Sequence, residues 1–243
     1  MSKKEWFVHW FDTHYYHVLY HNRDEQEAER FIQNLMRFLA LPQGSKLLDL
    51  ACGKGRHAKY LSEFGHHVLG VDLSPNSIAL ASEWSTDYLR FQTHDMREVI
   101  ADETFDVVFN LFTSFGYFDD ASENKRVCSS ISHMLVPGGK VLIDFMNASK
   151  VIQHLVPSES KIIDQITFDI KRTYDGKHIY KYIDVKDKGQ VTTYMERVQA
   201  LKLADFRSLL ETDFNILHTF GSYDLSPFDE IHSDRLILLA QLK

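Results

Sequence analysis

The sequence predicts an α/β fold in which a mostly parallel sheet carries helices on both faces. From Leu47 onwards, short apolar runs alternate with stretches of helical periodicity, a pattern typical of parallel strands joined by crossover helices. The first of these runs ends in Ala51-Cys52-Gly53-Lys54-Gly55 and opens directly onto a helical stretch. Glycines let a ligand approach the backbone, and the following helix points N–H groups at it. This turn therefore predicts a site for a small polar molecule.

Acidic residues help to distinguish between the cofactors that use such a turn. The spacing Gly53-x-Gly55-x-x-Ala58 also satisfies the dinucleotide fingerprint. However, Asp49 lies inside the end of the first strand, where it would repel a pyrophosphate and attract an ammonium or sulfonium group. The second strand, 67–71, leads into Asp72, whose carboxylate can accept hydrogen bonds from two ribose hydroxyls. The pattern favours a cationic nucleoside over a dinucleotide.

The stretch from Leu47 to Phe145 resembles motif I and the later motifs of the class I S-adenosylmethionine-dependent methyltransferases. Three later segments fit that family in order: Asp95-Met96 after a third strand, 105–110 as the fourth strand, and 135–140 before the fifth. The resemblance implies a Rossmann-like seven-stranded sheet whose last strand is antiparallel. The chain is similar in particular to small-molecule enzymes, including amino-sugar N-methyltransferases, through Ala51-Cys52-Gly53, Asp95-Met96-Arg97 and Phe112-Thr113-Ser114-Phe115-Gly116-Tyr117.

Local signals place the other elements in order along the chain. An amphipathic pattern over 24–40 predicts a helix with Asp24 as its cap, and Ser74 caps the helix after the second strand. Asp119 or Asp120 caps the helix that follows the fourth strand. The helix capped by Asp119 or Asp120 is expected to run to 135, and further helices are expected over 75–84, 149–155 and 203–211. The remaining expected strands cover 88–92, 140–145, 214–220 and 235–242.

We expect a single methyltransferase domain over residues 1–243. Residues 161–200 are rich in Ile, Tyr, Thr and Val, with turn signals at Asp175-Gly176 and Lys188-Gly189, and they predict a three-stranded antiparallel meander. This meander is a small insert before the last helix and strands. The other expected parts are an N-terminal lid and helix over 1–40, a cofactor-binding core over 45–147, and a C-terminal helix and strands over 201–243.

The aromatic and histidine-rich first twenty residues suggest a lid over the site, with simple packing onto the core as the alternative. His14, His17 and His21 share one helical face, but no nearby cysteine or carboxylate completes a metal site, so no metal is expected. The resemblance implies an N-terminal tyrosine segment over the cofactor. The expected cofactor-binding residues are Tyr15, Tyr20, Asp49, Ala51, Gly53, Gly55, Asp72, Leu73, Asp95, Met96 and Asn110.

Within this set, we expect Leu73 and Met96 to enclose the adenine, with Asp95 accepting from its amino group. We expect Tyr16, Ser114 and Tyr117 to line the pocket of the methyl acceptor. Methyl transfer from a sulfonium mainly requires a nucleophile held in line with the methyl carbon, so no particular catalytic residue is indicated.

Composition limits the class of protein and its partners. The chain of 243 residues is 44% hydrophobic and 25% charged, and no apolar run approaches the length of a membrane span. The net charge of −7 argues against a general nucleic-acid surface, and two cysteines, Cys52 and Cys128, are typical of a reducing cytoplasm. Strand edges in the insert leave both a monomer and a homodimer open.

The expected activity is S-adenosylmethionine-dependent methyl transfer to a nitrogen or oxygen of a small molecule. The alternatives within the same class are an RNA or a protein methyltransferase. An NAD-dependent oxidoreductase and a cofactor-binding protein without activity are the alternatives from other classes.

Overall fold

A computed structural model describes residues 6–20, 25–118 and 120–243. Its helices are α1 (Trp6–Trp10), α2 (His14–Leu19), α3 (Glu25–Leu39), α4 (Arg56–Ser62), α5 (Pro75–Ala81), α6 (Ala121–Met134), α7 (Ala148–Gln153) and α8 (Leu203–Leu210). The strands are β1 (Lys46–Leu50), β2 (His67–Asp72), β3 (Leu89–Thr93), β4 (Phe105–Asn110), β5 (Leu135–Met146), β6 (Ser158–Ile163), β7 (Ile166–Tyr174), β8 (His178–Asp187), β9 (Gln190–Gln199), β10 (Phe214–Phe220) and β11 (Arg235–Leu242).

The central sheet has seven strands in the order β10-β11-β5-β4-β1-β2-β3. Strand β11 runs antiparallel to both of its neighbours, whereas β3, β2, β1, β4 and β5 are parallel. This arrangement confirms the predicted Rossmann-like sheet with an antiparallel last strand. Because the order reverses between β1 and β4, a crevice opens beyond the carboxyl ends of these two strands.

Helices cover both faces of the central sheet, as predicted. Side chains alternate along β1, so that Leu47 packs with α3 and α4 while Leu48 packs with α6 and α8 on the opposite face. Asp49 shares the face of Leu47, where it is 1% exposed. A carboxyl group therefore occupies a buried position of β1 where the neighbouring buried residues are leucines.

The insert is a separate antiparallel sheet of four strands, in the order β6-β7-β8-β9, and not the predicted meander of three. It begins at Ser158 rather than Lys161. The missed turn joins β6 to β7 through Asp164 and Gln165, whose φ angles are 49° and 66°. Such positive φ values normally call for glycine or asparagine, so this turn carries no sequence signal of the kind that marks Lys188-Gly189.

The N-terminal helices pack between the insert and the central sheet. Trp10, which is 1% exposed, contributes to a core with Val18 and Leu19 of α2 and with Phe168 of the insert. Phe7 instead joins the core of the central sheet, where its ring meets Phe118 edge to face at 5.6 Å. These contacts support the packing role that the sequence left open.

Two predicted helix caps have different outcomes. Asp120 caps α6, because its side chain accepts the backbone N–H of Ser122. Asp24, the expected cap of α3, lies outside the described residues, as do Asp119 and His21.

None of the helices described in the structure is both long enough and apolar enough to cross a membrane.

Candidate active site

A cavity of about 260 Å³ lies beyond the carboxyl ends of β1, β2 and β4. Its walls come from the turn after β1, the end of β2, the segment after β3, the loop 111–118 after β4, and helices α1 and α2. The cavity brings together ten residues that the sequence assigned to the cofactor or the acceptor: Tyr16, Tyr20, Ala51, Gly53, Asp72, Leu73, Asp95, Met96, Ser114 and Tyr117.

The turn after β1 shows why its glycines are required. A Cβ added to Gly55, which has a φ of 80°, would lie 2.6 Å from the ring of Phe91. Gly53 also has a positive φ, but nothing lies within 4 Å of the Cβ position, so the turn leaves space for a ligand beside its backbone. Gly53 lines the cavity, whereas Gly55 supports the turn from outside it.

Asp72 links the ends of β1 and β2. Its carboxylate accepts the backbone N–H of Gly53 at 2.9 Å and that of Ser74 at 2.8 Å. Burial raises the pKa of Asp72, these N–H groups lower it, and nearby Asp12 raises it further. Asp72 also lines the cavity, so its fixed carboxylate suits the recognition of neighbouring ribose hydroxyls.

Two buried side chains lie at the carboxyl ends of β1 and β4 without lining the cavity. Among the described residues, Asp49 Oδ2 and Asn110 Oδ1 are buried and have no hydrogen-bond partner. Burial raises the pKa of Asp49 to about 7, and Asp72 adds to this effect. A buried acceptor atom without a partner is costly, so a cationic or N–H-bearing ligand at this turn fits the residues present. S-adenosylmethionine carries both kinds of group.

The predicted adenine region contains an ion pair that the sequence analysis did not anticipate. Arg97 Nη2 lies 2.6 Å from Asp95 Oδ2, and Arg97 Nη1 lies 2.9 Å from Glu123 at the start of α6. Burial acts to raise the pKa of Asp95, but the hydrogen bonds from Arg97 hold it below its usual value. Asp95 is therefore ionised and oriented as an acceptor. Its contact with adenine, between Leu73 and Met96, stays a prediction.

The side of the cavity predicted to hold the methyl acceptor is aromatic. Rings of Trp6 and Phe11 contact Tyr117 at centroid distances of 5.5 and 5.2 Å. The hydroxyl of Tyr117 donates to the carbonyl of Thr113 at 2.5 Å, and that of Ser114 donates to Leu111 at 2.8 Å. Both predicted acceptor residues thus use their hydroxyls to brace the loop 111–118, while this loop also forms part of the cavity wall.

An ion pair missed by the sequence analysis holds the same loop. Phe112 and Thr113 have φ angles of 60° and 62°, a strained backbone for residues other than glycine. Asp144 Oδ2 accepts the Phe112 N–H at 2.9 Å, and Arg235 donates to Asp144 at 2.8 Å and to Thr113 Oγ1 at 3.0 Å. Residues from β5 and β11 are distant in sequence, so spacing around the loop could not reveal them.

Tyr15 does not line the cavity, contrary to what the resemblance implied. Its hydroxyl donates to Asp187 of the insert at 3.1 Å. Tyr15 and Tyr16 are neighbours on α2, and Tyr16 takes the position facing the cavity. His17 also lines the cavity while His14 is exposed, and the described residues contain no cluster of side chains suited to a metal ion.

The fold and the cavity define an α/β protein with a candidate ligand site at the switch point of a mostly parallel sheet. Comparison with known proteins specifies this class. The profile of a methyltransferase domain matches residues 47–139. A dTDP-3-amino-3,4,6-trideoxy-alpha-D-glucopyranose N,N-dimethyltransferase of Streptomyces venezuelae is 34% identical over 104 residues, which cover 42% of this chain and 43% of that protein. The chain spans about half the length of the curated relatives it matches.

Solved structures share the fold over nearly the whole chain. An S-adenosylmethionine-dependent methyltransferase from Clostridium acetobutylicum has a TM-score of 0.78 at 21% identity, covering 94% of this chain and 96% of its own. The sugar N-methyltransferase KedS8 from Streptoalloteichus has a TM-score of 0.73 at 20% identity, covering 94% of this chain and 92% of its own. Residues 47–139 therefore match a methyltransferase domain, and the whole chain shares the fold of S-adenosylmethionine-dependent methyltransferases.

Proposed function

We propose that this protein transfers a methyl group from S-adenosylmethionine to an amine nitrogen of a small-molecule acceptor. The observation that carries the proposal is the set of residues that line the cavity. Asp72 and Asp95, the residues predicted to hold the cofactor, line the same cavity as the aromatic side chains of Tyr16, Tyr20 and Tyr117. A nucleophile held against that wall would be enclosed together with the methyl donor.

When bound, S-adenosylmethionine supplies an electrophilic methyl carbon on a sulfonium. In the proposed reaction, this chain's residues bind both reactants and exclude water, which can account for most of the rate of an in-line displacement. Asp72 would hold the ribose of the donor, and Asp49, which does not line the cavity, would attract the donor's ammonium through its charge. The aromatic side chains would hold the acceptor through flat apolar contacts.

The names of several relatives support nitrogen as the methylated atom. Those relatives include two sugar N,N-dimethyltransferases and the phosphoethanolamine N-methyltransferase 1 of Triticum aestivum. A nucleic-acid acceptor is disfavoured by the chain's net charge of −7. We further propose that residues 1–243 act as one domain in the cytoplasm, as a monomer or a homodimer.

Two measurements test the proposal. Calorimetry should show that S-adenosylmethionine binds and that NAD does not. A methyl-transfer assay should then compare pairs of small molecules that differ only in an amine or a hydroxyl at one carbon, and the amine of each pair should be methylated faster. Preferential binding of NAD would reject the cofactor, whereas methylation of RNA or protein but of no metabolite would reject the acceptor class.

A further inference from the structure

The inner face of the insert carries a partly buried ion pair among apolar side chains. Lys181 of β8 and Glu196 of β9 are directly opposite in the antiparallel register, with Nζ and Oε2 3.6 Å apart. Their side chains are 14% and 17% exposed, and the same face packs Ile183 and Val185 against α1 and α2. Burial lowers the pKa of Lys181, and the opposing charge of Glu196 raises it.

This ion pair holds Tyr20, which lines the cavity. The Tyr20 hydroxyl donates to Glu196, at 2.7 Å from Oε1 and 2.9 Å from Oε2, and accepts from Lys181 at 2.5 Å. Trp10 Nε1 donates to the same Glu196 carboxylate at 2.7 Å. A buried ion pair is seldom more stable than apolar packing of the same volume, so a gain in stability does not account for it. Its distinctive effect is to fix the direction of the Tyr20 O–H bond.

We propose that Glu196 is a positioning residue that orients Tyr20 toward the nucleophile of the methyl acceptor, so that the insert completes the acceptor site. This inference rests on the proposed methyl transfer. Because the Tyr20 proton is directed at Glu196 and its oxygen already accepts from Lys181, that oxygen can only accept one further hydrogen bond, from a bound acceptor. Among amines it therefore favours those that carry a hydrogen, so primary and secondary amines are preferred to tertiary amines. Accepting that N–H leaves the nitrogen lone pair directed at the methyl carbon.

A matched pair of isosteric substitutions tests this role. Glu196 and Asp187 are both insert carboxylates that accept a tyrosine hydroxyl from the N-terminal segment, but Tyr20 lines the cavity and Tyr15, the partner of Asp187, does not. Glu196→Gln should raise the KM for an amine acceptor by roughly tenfold, as expected for a hydrogen bond with a charged partner, while the Kd for S-adenosylmethionine changes less than about twofold. Asp187→Asn should leave both values near those of the wild type.

Acceptor preference provides a second readout that a purely structural role would not change. With Gln at position 196 the Tyr20 hydroxyl is no longer committed to a carboxylate, so the rate ratio between a secondary amine and its matched tertiary amine should fall in Glu196→Gln and stay unchanged in Asp187→Asn. If Glu196→Gln does not fold, as judged by its thermal transition, Tyr20→Phe removes the same oxygen and should raise the acceptor KM in the same way.

The outcomes distinguish the positioning role of Glu196 from the proposed methyl transfer. Equal kinetics in Glu196→Gln and Asp187→Asn, or wild-type kinetics in Tyr20→Phe, would overturn the positioning role while methyl transfer itself stands. A wild-type protein that binds S-adenosylmethionine but methylates no amine would overturn the proposed function and this role with it.

Discussion

Asp49 is a buried residue through which we expect ligand binding to depend on pH. Its carboxyl group lies on the buried face of β1, and burial raises its pKa to about 7. The group is therefore mostly neutral below pH 7, whereas an ionised carboxylate is the form that attracts the ammonium of S-adenosylmethionine. The affinity for this cofactor should accordingly increase as the pH rises toward 7.

We predict that raising the pH from about 5.5 to about 7.5 tightens cofactor binding by the wild type roughly three- to tenfold more than binding by Asp49→Asn. Calorimetric titrations of both proteins at several pH values provide the measurement.

The stability of the free protein should change with pH in the opposite sense to its affinity for the cofactor. Unfolding releases Asp49 to its ordinary pKa near 4. As the pH rises from about 4 to 7, the wild type should therefore lose stability relative to Asp49→Asn. Parallel pH profiles for the two proteins would contradict this assignment.

Asp72 has a different role at the residue scale, because its carboxylate both braces the turn and faces the cavity. We predict that Asp72→Ala weakens cofactor binding by about 1.5 to 3 kcal/mol, roughly one to two decades in Kd. The matched control is Asp106→Ala. Asp106 accepts the backbone N–H of Lys46 at 2.8 Å, at the opposite end of β1 from the cavity. If both variants bind S-adenosylmethionine equally well in the folded state, Asp72 has no part in the site.

At the scale of elements, the turn between β6 and β7 explains an error in the sequence prediction. The register pairs Ile163 with Ile166, so Asp164 and Gln165 form a two-residue hairpin turn, and both have left-handed backbone angles. Sequence signals identified the turns at Asp175-Gly176 and Lys188-Gly189 because these contain glycine. Where residues other than glycine adopt left-handed backbone angles, the sequence pattern does not reveal the turn.

This strain leads to a stability prediction. Replacing Asp164-Gln165 with Asn-Gly should raise the free energy of unfolding by about 1 kcal/mol, because these residues suit a turn with two positive φ angles. Denaturant unfolding gives the measurement. Gly189→Ala, at the corresponding turn between β8 and β9, should lower stability instead, since its φ is 79°. An Asn-Gly variant less stable than the wild type would show that this turn is not strained.

Viewed over the whole molecule, the sequence predicted the central sheet and much of the cavity but few of the contacts between distant segments. Strand ends such as Asp72 and Asp95 follow local apolar runs, so their place at the crevice could be inferred from order alone. Arg235, Lys181 and Glu196 gain their roles through strand pairing over long sequence separations, and in the sequence they look like ordinary surface charges. The described structure brings them to the N-terminal helices and to the loop 111–118.

The N-terminal segment connects the two sheets across the cavity. On one side Tyr20 and Trp10 bind Glu196 of the insert. On the other side Asp12, in the turn between α1 and α2, accepts hydrogen bonds from Ser74 Oγ and from the backbone N–H of Asn76 at 3.2 Å. Ser74 caps α5 and lies two residues after Asp72. The contact between Asp12 and Ser74 therefore lies beside the predicted ribose site. Cofactor exchange should therefore depend on how firmly Asp12 holds the segment.

We predict that Asp12→Ala increases the dissociation rate of S-adenosylmethionine by roughly three- to tenfold, the effect of losing about 1 kcal/mol of polar contact. Asp120→Ala is the control, because Asp120 also accepts a backbone N–H at a helix start, that of α6, but within the described residues makes no contact that holds the N-terminal segment to α5. Each variant loses a similar helix-capping contribution to stability, so similar shifts of the thermal transition are expected. Stopped-flow displacement of bound cofactor measures the rate. A faster release in Asp12→Ala alone identifies the segment as a closure that must open for exchange, whereas equal rates in the two variants would leave it with a packing role only.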